Sequence, residues 1–259
     1  MAKHRPSTAR RTRKQKVNED IPPVYKTPKS IPLMAKTEKQ ADYLHSLREE
    51  QLMIVVGSAG TGKTYMAMTH AANRYVQGYI EKIVLTRPNV AAGGKSLGFH
   101  KGTVEEKVAP WAKPAVQILN KHLGPQKVEA MIKCGELVFE PFETMRGLSF
   151  EDAFVVLDEA QNATVEEMKM FLTRIGENTQ TVIDGDIFQT DIPYDCGLAK
   201  VIHMTKQQML PFPIIEFGVD DIVRSDLCAI WVRAFMTDTA DRPTNVPTKV
   251  DSETLTKVE

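Results

Sequence analysis

Apolar positions along the chain fall into short runs separated by longer amphipathic stretches. The runs Leu52–Val56, Lys82–Thr86, Leu137–Phe139, Phe154–Asp158, Thr181–Asp184 and Ile214–Phe217 are rich in β-branched residues and read as strands. Between and around them lie segments of helical period: Thr37–Glu49, with Ala41, Leu44 and Leu47 on one face, then about Lys63 to Val76, Thr103–His122, Gln126–Lys133, Thr164–Ile175 and about Ser225–Phe235. Strands that are apolar on both faces and alternate with helices predict an α/β fold. Its sheet is mostly parallel, with helices on both faces.

The ends of the chain have a different texture. Residues 1–35 are basic and then proline-bearing (Pro22, Pro23, Pro28, Pro32) and read as a disordered arm. Residues 36–236 read as one folded domain, and 237–259 as a polar tail. Formal net charge is zero, but residues 3–16 hold seven Lys/Arg and no acid. Taking those seven from the 33 basic residues leaves 26 against 33 acids for the remainder. Nucleic acid would therefore have to be held by the arm or by a local patch, not by a globally basic surface. Three widely spaced cysteines (Cys134, Cys196, Cys228) without a C-x-x-C pair argue against a disulfide framework or a zinc site and for a reducing cytoplasm. No apolar run is long enough to span a bilayer, and no apolar segment follows the basic N-terminus, so neither a membrane anchor nor a secretory signal is expected.

One segment carries specific chemistry. Gly57-Ser58-Ala59-Gly60-Thr61-Gly62-Lys63-Thr64 fits G-x-x-x-x-G-K-[ST], with an apolar strand before it and a helical pattern after it, as the motif requires. Glycines let backbone N–H groups turn inward around a phosphate, and the helix presents its positive end to the same oxygens. Lys63 then reaches the β- and γ-phosphates, and the Thr64 hydroxyl ligates Mg²⁺. With Tyr65 beside them, these residues form the candidate nucleotide-binding set. Gly94-Lys95-Ser96 imitates the end of the motif, but Asn89 stands where its first glycine would be.

A second strand, Ala153–Leu157, runs into Asp158-Glu159. Carboxylates at the C-terminal edge of a parallel sheet would face the phosphate crevice. Asp158 suits the water-mediated shell of Mg²⁺, and Glu159 suits positioning and deprotonating the attacking water. The bland alternative is a strand end with two solvated acids. Thr181–Asp191 repeats the theme. There Gln189 could sense the γ-phosphate or orient water and Asp186 could support it, or the segment could be an Asx turn closing a strand.

These motifs, together with Leu85–Pro88, Gly98-Phe99, Met145–Gly147, Leu157–Asn162, Met168–Arg174, Gly185-Asp186 and Asp221–Arg224, resemble the PhoH-like P-loop ATPases, relatives of the nucleotide-binding half of superfamily 1 helicases. The resemblance runs over roughly residues 36–235. It implies a RecA-like fold, ATP and Mg²⁺ as ligands, a homo-oligomeric ring such as a hexamer, and action on RNA or single-stranded DNA. It also implies that Gln40 reads adenine; from the residues alone, Gln40 is a solvent-facing helix position. Two family features are not expected here. Residues 1–35 cannot hold the nuclease domain of some members, and a second RecA-like domain is missing. The family pattern has threonine or a small residue where this sequence has Asp184.

Weaker features stay open. Arg87 could contact a nucleic-acid phosphate or cap its strand. Lys95, Phe99 and Lys101 lie in a Gly/Lys loop that could stack and neutralise single strands or simply anchor to the body. Met66, Met68, Met168 and Met170 read as core, and Trp111 and Trp231 as core or interface. Arg224 is the leading candidate for an arginine supplied to a neighbouring subunit's γ-phosphate, with Arg174 and Arg146 behind it; the alternative for Arg224 is an ion pair with Asp220 or Asp221. Three functions compete: an ATPase coupled to nucleic acid, a small-molecule kinase, and a non-hydrolysing ATP-binding assembly module. Asp158-Glu159 and Gln189 favour water as the acceptor.

Overall fold

The computed structural model describes residues 30–88, 104–192 and 194–237. The basic arm 3–16 and the residues Lys95, Phe99 and Lys101 lie outside the described residues, as does nearly all of the polar tail.

Chain order is α1 (Glu38–Glu49), β1 (Leu52–Gly57), α2 (Lys63–Val76), β2 (Lys82–Arg87), α3 (Val104–Leu123), α4 (Pro125–Cys134), β3 (Leu137–Pro141), β4 (Ala153–Leu157), α5 (Val165–Leu172), β5 (Gln180–Gly185), α6 (Gly197–Gln207), β6 (Ile214–Phe217) and α7 (Asp226–Thr237). Six strands form one sheet in the order β3-β2-β4-β5-β1-β6, and every pairing is parallel. The expected α/β class with a parallel sheet is therefore the observed one. Helix α5 stops at Leu172, three residues short of the periodicity, and α6 is a helix that the pattern reading did not delimit.

Local chemistry fixes several boundaries. Thr37 caps α1 by accepting from the Gln40 N–H at 3.2 Å. Thr164 and Glu167 form a reciprocal capping box at α5. Pro125 opens α4, and Gly135 closes it in the left-handed conformation at φ 75°.

Alternate residues of the buried strands feed two cores. Val55, Leu85, Phe154, Val156 and Val182 face α1–α4 and meet Tyr43, Leu47, Met66, Met68 and Leu119. Ile54, Val84, Val155, Leu157 and Ile183 face α5 and α6 and meet Met168, Phe171 and Leu198. Burying one such side chain contributes about 1.5–3 kcal/mol. Met170 and Trp111 are partly buried against these cores. Trp231 is not in a core: it is 58% exposed on α7, beside the exposed Leu227, Ile230 and Phe235.

One core group makes stability depend on pH. His70 of α2 packs its ring 5.7 Å from that of Phe154, and its Nε2 has no partner. Burial, with Arg74 nearby, lowers its pKa from 6.5 to about 4. The folded state thus favours the neutral ring. The stability this gives is fully present above pH 6.5 and is lost as pH falls towards 4. Between pH 7 and pH 4.5 the wild type should lose about 2 kcal/mol that His70→Leu does not lose, read as the difference in slope of unfolding free energy against pH.

Candidate nucleotide-binding site

All parallel strands end at the same edge, and the candidate residues gather there. The Gly57–Gly62 loop leaves β1 with left-handed backbone at Gly60 (φ 93°) and Gly62 (φ 88°). At Gly57 a side chain would also lie 2.6 Å from the Phe217 backbone, so strand β6 requires glycine there. Lys63 curls over the loop. Its Nζ donates to the carbonyl oxygens of Gly57 at 2.7 Å and Ser58 at 3.3 Å, and lies 3.6 Å from Asp184 Oδ1. The Thr64 hydroxyl donates to Asp184 Oδ2 at 2.9 Å. The Ser58 hydroxyl is buried in the loop without a partner.

Gln40 is 4% exposed, so the solvent-facing reading fails. Its Nε2 donates to the Thr61 carbonyl at 2.8 Å, and its Oε1 accepts from the Lys36 N–H at 2.8 Å. The side chain braces the loop from α1 and uses two of the four hydrogen-bonding positions of its amide. A helix-period reading could not find this, because the contact spans 21 residues of sequence.

Strand β5 lies between the phosphate-loop strand β1 and the acidic strand β4. Leu157 pairs with Ile183, so the next residues, Asp158 and Asp184, stand side by side on the α2 face. Burial first, then Asp184 and Glu159, push the Asp158 carboxyl up to about 7, against the pull of Arg87 and Lys63. Burial also raises Asp184, opposed by Lys63 and by the Thr64 hydrogen bond. A cation would relieve this crowding. Among the described residues no group of three or more His, Cys, Asp or Glu can hold a metal. A magnesium ion beside Thr64 and Asp158 would therefore complete its shell with phosphate oxygens and water, as Mg²⁺ commonly does.

Glu159 sits at φ 54°, a left-handed conformation uncommon for a side-chain-bearing residue, and one that clusters at functional sites. Its carboxylate accepts from Gln161 Nε2 at 2.6 Å and lies 3.7 Å from Arg87 Nη2. Gln161 Oε1 in turn accepts from the Asp186 N–H at 2.9 Å, and Asp186 Oδ2 accepts from Gln189 Nε2 at 2.7 Å. Gln161 is the link that residue-by-residue reading missed; its signal was its place in the Asp158–Asn162 run. The same network realises the Asx-type alternative for Asp186, whose Oδ1 accepts from the Phe188 N–H at 3.0 Å.

The Arg224 side chain lies over the phosphate loop of its own chain, where a Cβ on Gly60 would be 3.2 Å from Arg224 Cδ. The Val223 N–H donates to the Gly60 carbonyl at 3.0 Å and pins this segment there. The acids proposed as its partners are engaged elsewhere: Asp220 with Arg233 at 3.0 Å, and Asp221 with the Gly218 N–H at 2.8 Å. Of the runners-up, Arg174 lies at the opposite end of the sheet, its carbonyl bonded to Phe150 shortly before β4 begins. Arg146 is exposed just beyond the C-terminal end of β3. The cleft that collects Lys63, Thr64, Tyr65, Asp158, Glu159, Gln189 and Arg224 has a volume of about 580 Å³.

This arrangement can be set beside known proteins. The sequence profile of a family described as PhoH-like protein matches residues 32–236. The chain belongs to the PhoH-like family. Protein PhoH of Escherichia coli (strain K12) is 38% identical over 208 residues, 79% of this chain and 58% of that protein. A PhoH-like protein of Bacillus subtilis (strain 168) is 39% identical over 214 residues, 82% of this chain and 66% of that protein. The chain thus spans less than two thirds of the length of these relatives. Among solved structures, a Pif1 helicase from Candida albicans aligns at 15% identity with a TM-score of 0.36, over 71% of this chain and 40% of that one. The family and the strand–loop–helix geometry make the chain a P-loop NTPase. Among the described residues no helix is long and apolar enough to cross a membrane.

Proposed function

We propose that this chain is a Mg²⁺-dependent ATPase whose turnover is coupled to RNA or single-stranded DNA, working in the cytoplasm as a homo-oligomeric ring. The convergence of Lys63, Thr64, Asp158, Glu159, Gln189 and Arg224 on one cleft carries this reading. The loop amides and Lys63 would hold the phosphates, with the Lys63 ammonium moving from the carbonyls it now satisfies to the phosphate oxygens. Thr64, and Asp158 through water, would hold Mg²⁺, which neutralises charge on the β- and γ-phosphates. Glu159 would take the proton of the attacking water, steered by Gln161. Gln189 would report on the γ-phosphate, and Gln40 and Tyr65 would flank the nucleotide. Asp158-Glu159 and Gln189 favour water as the acceptor, and so hydrolysis over the kinase alternative.

Two observations support the wider claim. The Arg87–Glu159 pair ties the candidate nucleic-acid contact to the candidate base. A nucleic-acid phosphate that engages Arg87 would release Glu159 to the water. Lys95, Phe99, Lys101 and the arm 3–16 are the further candidate contacts. The exposed apolar face of α7 (Leu227, Ile230, Trp231, Phe235) favours a subunit contact; six subunits are the family expectation.

Phosphate release with and without single-stranded RNA or DNA tests the reading. The expected result is Mg²⁺-dependent release stimulated several-fold by nucleic acid. Glu159→Gln should keep nucleotide binding and lose turnover by about 100-fold or more. Transfer to an added acceptor would support a kinase, and absence of turnover in the wild type an assembly module. Arg224, lying on its own loop, is assigned to its own subunit's γ-phosphate, where an arginine can supply about 10³–10⁵ in rate. Mixed oligomers of Lys63→Ala and Arg224→Ala should therefore stay inactive. Recovery of activity on mixing would mean that Arg224 acts across the interface.

A further inference from the structure

Asp184 has no role in the scheme so far, yet it is the most enclosed charge at the site. It is 3% exposed and touches both functional side chains of the phosphate loop, the Thr64 hydroxyl at 2.9 Å and the Lys63 ammonium at 3.6 Å. It stands beside Asp158 on the neighbouring strand. A phosphate loop of this kind needs one carboxylate at this depth for its cation. This chain has two; Lys63 answers both, and Arg87 adds its pull at Asp158.

The contacts define what Asp184 can do. A hydroxyl that donates its proton to Asp184 turns its lone pairs away from that carboxylate, and so offers them to a cation. Thr64 is thereby set as a ligand rather than as a donor. The Lys63 contact adds a coupling. Before nucleotide enters, Asp184 is partly neutralised by Lys63. When phosphates draw Lys63 away, Asp184 loses that partner while anionic oxygens arrive nearby. A buried carboxylate left in that position is costly unless another cation replaces the lysine.

We propose that Asp184 is a positioning residue that makes nucleotide binding conditional on the divalent cation: it orients Thr64 toward the metal and penalises entry of metal-free nucleotide. This inference rests on the nucleotide-binding reading above. It requires phosphate and metal to bind with strong mutual enhancement, and reciprocity demands that each raise the other's affinity by the same factor.

Equilibrium titration of a fluorescent ADP analogue, with excess Mg²⁺ and with EDTA, tests this without any turnover. The wild type should bind about 100-fold more tightly with Mg²⁺, near the upper end of usual coupling. Asp184→Asn, similar in shape and uncharged, should shrink that ratio to about tenfold or less, mainly through tighter metal-free binding. Asp184→Thr keeps an acceptor for Thr64 without the charge and should behave alike, which covers a failure of the asparagine variant to fold. A merely structural role would weaken both titrations together and leave the ratio unchanged; that result, in either cooperatively folded variant, overturns the proposal. If the wild type binds the analogue under neither condition, the nucleotide-binding reading itself fails and the proposal falls with it. If the wild type binds equally with Mg²⁺ and with EDTA, nucleotide binding stands and the role of Asp184 is refuted.

Discussion

A lysine ammonium with a side chain only 10% exposed must be answered by oxygen atoms, and Lys63 organises the site around that demand. Two loop carbonyls and Asp184 answer it in the structure. The loop can present those carbonyls because Gly60 and Gly62 adopt backbone angles closed to most residues and because Gly57 lets β6 pass against it. Lys63 is thus already answered by oxygens of its own site, and it bridges the loop through the Gly57 and Ser58 carbonyls.

The sheet converts that local arrangement into a reaction centre. Placing β5 between β1 and β4 sets two carboxylates at one level in front of the lysine. The turn after β4 then carries Glu159 into a left-handed backbone position from which Gln161 and Arg87 hold its carboxylate. The hydrogen-bond chain from Glu159 through Gln161 and Asp186 to Gln189 links the ends of two strands. A shift at either end has a defined route to the other. Arg87, at the end of β2, and Glu159 both open toward solvent, with side chains 32% and 40% exposed.

What the sequence made legible was local. The strand, glycine loop and helix of the phosphate site are contiguous, so their spacing alone declares them. The run Ala153–Glu159 is equally self-contained: a strand buried along its whole length ends in two acids. What stayed hidden depends on chain segments meeting across long separations. The insertion of β5 between β1 and β4 cannot be read from periodicity, and without it Asp184 is only a departure from a family pattern. Arg224 looked edge-facing because nothing local says that the chain after β6 folds back over Gly60. Gln40 looked exposed because its partner is 21 residues away. Trp231 was left open between core and interface because an amphipathic helix reads alike whether its apolar face meets its own domain or none.

The central claim is that Lys63 exchanges its present partners for the phosphates of a bound Mg²⁺–nucleotide. Calorimetric titration of Mg²⁺·ADP into the wild type and into Lys63→Ala addresses it directly. The account predicts one site per chain in the wild type, and affinity reduced by about 100-fold or more in the variant, as expected when a charge-assisted contact to phosphate is removed. Equal affinity in the two proteins would contradict it.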